Sequence, residues 1–167
     1  MQRRRSLFSN NQAGFTLTEL LVVLAIITIL FALSTIGLGK TQSVVTTSTT
    51  VDTLLADIKS QQLLAMAGGI GNTANTAAQQ QGVYVQSNQY TLYAGTTFNV
   101  GDTNNYVVPA GQNISFSTTF SGGKVLFNKG AGDVSGFVNG SNTITVTSST
   151  GGSKTITINR LGATSVN

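Results

Sequence analysis

The stretch Gly14-Phe-Thr-Leu-Thr-Glu19-Leu-Leu-Val-Val-Leu-Ala-Ile-Ile-Thr-Ile-Leu-Phe-Ala-Leu-Ser-Thr-Ile-Gly-Leu-Gly39 decides how this chain is built. From Phe15 to Gly39 it holds 25 residues and a single charge, Glu19. At ~1.5 Å per residue a helix of that length measures roughly 37 Å, enough to cross a hydrocarbon core of about 30 Å. Arg3, Arg4 and Arg5 precede it. Lysine and arginine are retained on the cytoplasmic side, so the expected topology is a single pass with the N-terminus in and everything after Gly39 out.

A cleaved secretory signal has a shorter apolar core followed by a small-x-small site. Ala32, Ser34 and Gly37 imitate such a site, but the apolar run is long and carries an acid near its start. A carboxylate in lipid costs about 2.5 to 3.5 kcal/mol, so Glu19 calls for a partner. A plain signal anchor with Glu19 at the interface is the simpler alternative.

Gly14-Phe15-Thr16-Leu17-Thr18-Glu19 followed by the apolar run resembles the class III signal of type IV pilins and type II secretion pseudopilins. The resemblance implies that residues 1–14 are a leader removed by a prepilin peptidase between Gly14 and Phe15. It further implies that Phe15 is N-methylated and that the apolar helix stays in the mature protein. Glu19, the fifth residue of that mature chain, would then pair with the N-terminal amine of a neighbouring subunit. An ammonium at Phe15 and a carboxylate at Glu19 are each unfavourable in lipid and neutralise each other between staggered helices.

Outward from this segment, residues 40–67 lack Gly and Pro and place Val44, Val51, Leu55, Ile58 and Ala65 or Met66 at helical spacing, with Val45, Leu54 and Leu64 alongside. One long helix is expected, transmembrane over 15–39 and amphipathic over 40–67, with bending or local melting permitted at Gly37 and Gly39. Gly68-Gly69-Ile70-Gly71-Asn72 stops it, and 72–81 reads as a connection.

Residues 68–167 form the expected extracytoplasmic head. Its period is two: Val83–Val85, Tyr90–Tyr93, Tyr106–Val108, Ile114–Phe116, Val125–Phe127, Phe137–Val138, Ile144–Val146 and Thr155–Ile158 read as short strands between Gly- and Asn-rich turns. The loop from Gly95 to Asn105 is longer than a turn needs. Val83, Val85, Leu92, Ile114, Phe116, Ile144, Val146, Ile156 and Ile158 are the expected buried face of one small antiparallel sheet packed on the helix. The fold class is α+β, pilin-like. Within the resemblance, the helix, the Gly/Asn connection and the strand-rich tail ending in Thr155-Ile-Thr-Ile-Asn-Arg160-Leu-Gly162 are most similar to the GspH/FimT minor pseudopilin class. The chain lacks the cysteine pair that closes a C-terminal loop in many major pilins.

Composition argues against an enzyme. Only 8% of the 167 residues are charged, and there is neither Cys nor His, which removes thiol nucleophiles, histidine acid–base pairs and zinc ribbons. Gly39-Lys40-Thr41 mimics the end of a phosphate loop but follows a membrane helix where a strand is needed, and Gly68-Gly69-Ile70-Gly71 follows a helix too. Asp102, Asn104 and Asn105 offer oxygen ligands to calcium, yet one carboxylate is few, and a solvated loop of turn-forming residues is the favoured reading. Asp52 and Asp57, with Lys59, read as a polar helix face. No cofactor or metal is expected.

The net charge of +4 owes much to the leader: of nine Lys and Arg three are Arg3, Arg4 and Arg5, leaving six against five acids. DNA uptake through a basic C-terminal tail is associated with some FimT-like proteins, and here Lys154 and Arg160 are the residues that such contacts would use. Tyr84, Tyr90, Tyr93 and Tyr106 could stack on bases or pack within a sheet. The expected protein is a structural pilin or pseudopilin subunit of the inner membrane. Its expected partners are other subunits, the prepilin peptidase and the membrane, with a DNA-binding tip protein or a plain anchored binding domain as alternatives.

Overall fold

The computed structural model describes residues 14–68 and 79–167, the side chains of 35–44 apart. The leader, the Gly69–Asn72 part of the helix stop and most of the 72–81 connection lie outside the described residues, as do the side chains of Lys40 and Val44. The chain divides into two compact units, Met1–Leu38 and Gly39–Asn167. A single α-helix, α1, is assigned over Leu17–Met66. The backbone stays helical through Gly37 and Gly39, so the local melting that these residues permit does not occur.

In the first unit every described side chain from Gly14 to Ser34 is exposed. Leu17–Ser34 has a mean hydropathy of 2.5 and is long and apolar enough to span a membrane. Within it the Thr28 hydroxyl donates to the Leu24 carbonyl one turn back at 2.7 Å, so this polar group is satisfied by the helix itself.

In the second unit α1 buries Thr47, Val51, Leu54, Ile58, Gln61 and Ala65, an alternation of four and three residues that keeps one stripe facing inward. Val51, Leu54, Ile58 and Ala65 are thus where periodicity puts them, and Leu55 is half-buried against the same core. Val45, Leu64 and Met66 are exposed instead, because Leu64 and Met66 lie about 100° off that stripe and Val45 about 160° off it. Threonine, a weak helix former, is tolerated here since Thr49, Thr50 and Thr53 return their hydroxyls to the carbonyls of Val45, Thr46 and Thr49. The helix ends where Gly68 takes a left-handed φ of 69° and donates to Ala65 O.

Among the described residues eight strands follow: β1 Gln81–Val85, β2 Gln89–Ala94, β3 Tyr106–Pro109, β4 Ile114–Thr118, β5 Lys124–Phe127, β6 Thr143–Ser148, β7 Ser153–Ile158 and β8 Thr164–Val166. They make two antiparallel sheets, ordered β3-β2-β1-β5 and β4-β6-β7-β8, where one sheet was expected. The change of sheet follows Pro109, which ends β3 and has no N–H to extend a ladder, and Asn113, whose φ of 64° turns the chain. Both sheets stay joined there, with Phe116 N–H donating to Ser87 O at 3.0 Å. The inward residues of the first sheet (Val83, Val85, Tyr90, Val125, Phe127) and of the second (Ile114, Phe116, Ile144, Val146, Ile156, Ile158) close with the α1 stripe into one core.

Three further differences have local causes. Leu92 is half-buried at the edge of the core and Tyr90 takes the central place, its ring edge-on to Phe116 at 5.6 Å. Phe137–Val138 is not a strand: Gly136 and Gly140 adopt φ of 62° and 85° on either side, and turns occupy the segment. The tail adds β8, returned onto β7 by a turn at Gly162 with φ of 80°.

The long loop has a packing role. Phe98 packs at a tilt against Tyr84 and edge-on to Tyr93, with centroids at 4.4 and 5.4 Å, covering the outer face of the first sheet.

Candidate functional site

Leu17, the first helical residue, follows Thr16, and Glu19 is the third position of the first turn. Glu19 N–H donates to the Thr16 hydroxyl at 3.3 Å, and the Thr16 and Thr18 hydroxyls are 3.1 Å apart. Thr16-x-x-Glu19 is therefore an N-cap with an acid at the third helical position, the arrangement of a capping box. The free N–H groups of the first turn carry partial positive charge that favours a carboxylate at that point. Among the described residues no side chain hydrogen-bonds or ion-pairs with the Glu19 carboxylate.

Gly14 lies just outside the helix, and a Cβ built on it would meet nothing within 4 Å. Neither its backbone nor its surroundings in the described structure require glycine. The requirement, where there is one, comes from outside the described residues. Phe15 is 85% exposed and follows directly. Gly14 and Phe15, just before the helix, and Glu19, in its first turn, thus sit together within six residues at the polar end of an apolar rod.

The other candidate residues do not converge on a site. Lys154 lies on β7 with the parity of buried Ile156 and Ile158, opposite Val146, and is half-buried at the end of the core-facing side. Arg160 is exposed in the turn beyond Ile158, about 13 Å of strand and then a bend away, and its carbonyl accepts Val134 N–H. The Asp102 carboxylate accepts both the backbone and side-chain N–H of Asn104 at 2.9 and 2.7 Å, and Asn105 Nδ2 donates to Asn99 O at 2.6 Å. This loop is a self-bonded turn. Among the described residues there is no group of three or more His, Cys, Asp or Glu side chains that could share a metal ion.

Asp57 is more than a polar helix face. Its Oδ2 accepts the Tyr90 hydroxyl at 2.5 Å, tying α1 to β2. Burial and that bond push the Tyr90 phenol well above its ordinary value, since both favour the protonated form. Tyr93 is likewise buried, which pushes its phenol up to about 12, but its hydroxyl has no partner among the described residues. Its ring lies over Gly82, its cross-strand partner, where a Cβ would come within 2.6 Å of the ring. Tyrosine at strand spacing marked sheet packing at Tyr84, Tyr90 and Tyr93, whereas Tyr106 on the edge strand is exposed. A glycine inside a strand opposite an aromatic is the signal by which the Tyr93 arrangement could have been found.

No curated protein and no solved structure is a significant match to this chain. Residues 9–35 match the family described as the prokaryotic N-terminal methylation motif, which brackets the capped helix start and the apolar run. The apolar helix and the motif together mark a membrane-anchored protein. The residues around Gly14, Phe15 and Glu19 accordingly lie within a prokaryotic N-terminal methylation motif, the kind of signal carried by type IV pilin-like and pseudopilin precursors.

Proposed function

We propose that the protein is a structural subunit, a minor pilin or pseudopilin of the GspH/FimT kind, and that it catalyses no reaction. It enters the inner membrane with its N-terminus in the cytoplasm and its head outside, is trimmed after Gly14 and is methylated on Phe15. Subunits then pack through their apolar helices, with Glu19 of one meeting the Phe15 amine of the next. The observation that carries this reading is the exposed apolar rod headed by an acid with no partner of its own among the described residues. Lipid or a neighbouring helix must cover the rod, and a charge from another copy must meet the acid. The self-bonded Asp102 turn and the separation of Lys154 from Arg160 give no support to a calcium or DNA site on the head.

The test is a trimming and incorporation assay in cells. Gly14→Ala is expected to block trimming with insertion intact, because the described structure offers a methyl there open space and the loss falls on recognition by the peptidase. Glu19→Ala is expected to be trimmed but poorly incorporated. Glu19→Gln separates two roles of this residue, since glutamine serves a capping box equally but carries no charge. Poor incorporation of Glu19→Gln is expected; normal incorporation would reduce Glu19 to a helix cap.

A further inference from the structure

The outer face of the first sheet carries a cleft of about 430 Å³, within the usual range for ligand pockets. Tyr93, Leu126 and Lys124 rise from the sheet on one side, and Phe120 and the turns before β5 and β6 close the other. Tyr93 is 3% exposed, yet its hydroxyl bonds to nothing among the described residues. Such a group is costly to bury unpaired. Its ring spans Gly82, which pairs with Leu126 on β5, and Tyr93 is among the residues that line the cleft. Ser121, Ser135 and Ser141 also line the cleft, and among the described residues no side-chain hydrogen bond uses their hydroxyls.

The lining has one charge and one sign. Lys124 is half-buried and folds back over Gly122, its Nζ 3.9 Å from where a Cβ on that glycine would stand. None of Asp52, Asp57, Asp102 and Asp133 reaches the cleft. A cation or a zwitterion would find no counter-charge for its ammonium. A ligand with one negative charge meets Lys124, and hydroxyls on the same ligand meet the serines. The phenol of Tyr93, pushed up to about 12 by burial, stays protonated at neutral pH and so keeps a donor without a partner among the described residues. Phe120 and Leu126 supply an apolar wall for C–H groups.

We propose that this cleft binds a small hydroxylated carboxylate of the sugar-acid class. The site belongs to the head alone and does not depend on how the N-terminal helix assembles. The experiment is calorimetric titration of the full chain in detergent micelles with D-glucuronate, with D-glucose as the uncharged probe. Saturable binding of glucuronate is expected, at least about tenfold tighter than glucose, the ratio a charge-assisted hydrogen bond supplies. Lys124→Gln should erase that preference, and Tyr93→Phe, which keeps the ring over Gly82, should weaken glucuronate about fivefold. Lys59→Gln, on the exposed helix face, should change nothing. Ser135→Ala provides a further variant without a charge or volume change in the sheet, with a loss of about threefold or more. Absence of saturable binding, equal affinity for glucose, or unchanged affinity in folded Tyr93→Phe and Lys124→Gln proteins would overturn the proposal.

Discussion

Replacing Tyr90 by Phe removes one hydroxyl from the centre of the head while leaving its ring. The side chain is 1% exposed and meets Phe116 edge-on, so phenylalanine keeps both the volume and the aromatic contact. The loss is therefore the bond to Asp57 at 2.5 Å. Hydrogen bonds to charged groups contribute about 1.5 to 3 kcal/mol, and Asp57 is only half-buried, so water recovers part of its solvation and the lower end applies. Tyr90→Phe should destabilise by about 1.5 kcal/mol. Asp57→Asn keeps the size and removes the charge, and it should lose a similar amount. Because both act on one bond, the double variant should be little worse than either alone, giving a coupling of about 1 kcal/mol. The measurement is guanidinium unfolding of the full chain in mild detergent, followed by tyrosine circular dichroism. Additive losses, or a neutral Tyr90→Phe, would mean that the bond does not tie the helix to the sheet.

Three other outcomes follow from named contacts. Gly82→Ala should lose about 1 to 3 kcal/mol because its methyl meets the Tyr93 ring, and the same change in a Tyr93→Ala background should be nearly neutral, as thermal melts would show. Stability should fall in alkali: an unfolded tyrosine ionises near pH 10 while native Tyr93 holds its proton to about 12, so its contribution is full below pH 10 and is lost as pH rises toward 12, at roughly 1.4 kcal/mol per pH unit. Tyr90 adds to the same loss, so melts of Tyr93→Phe across this window should show about half the wild-type slope. Gln62→Ala removes the donor to Gly132 O at 2.9 Å and Leu161 O at 2.8 Å; hydrogen exchange at Val134 N–H, bonded to Arg160 O, should speed up several-fold as those turns loosen.

Much of the secondary structure was legible because it depends on neighbours in sequence. Alternation fixed Val83, Val85, Ile144, Val146, Ile156 and Ile158, all buried, and spacing fixed Val51, Leu54 and Ile58. The division into two sheets was not legible, since Ile114–Thr118 alternates identically whether it pairs with β3 or with β6, and only the turn at Pro109 and Asn113 decides. Phe137–Val138 carries strand residues, but flanking glycines with positive φ override that preference. Asp57 and Tyr90 are 33 residues apart, and no local pattern announces a bond between a helix and a strand. The N-terminal methylation motif was legible because the residues that mark it, Gly14 to Glu19, are consecutive and precede one apolar run. What the sequence did not reveal there was Thr16 as a cap, although Thr16-x-x-Glu19 before an apolar run is its signature.

The two units face different solvation problems, which separates what each can encode. In the head, apolar side chains from both sheets and α1 cover one another, so its fold is decided within the chain. In the first unit the apolar side chains from Phe15 to Leu33 have no such cover, and their order depends on lipid or on other helices. A surface of Leu, Ile and Val packs against any similar rod and distinguishes partners poorly. Glu19 is the one charged group in that stretch, so it can set stagger but not identity. What distinguishes this chain from another with the same N-terminal motif must therefore reside on the head, where the loop carrying Phe98, the ring of Tyr93 over Gly82 and the half-buried Lys124 shape a surface that the motif does not dictate.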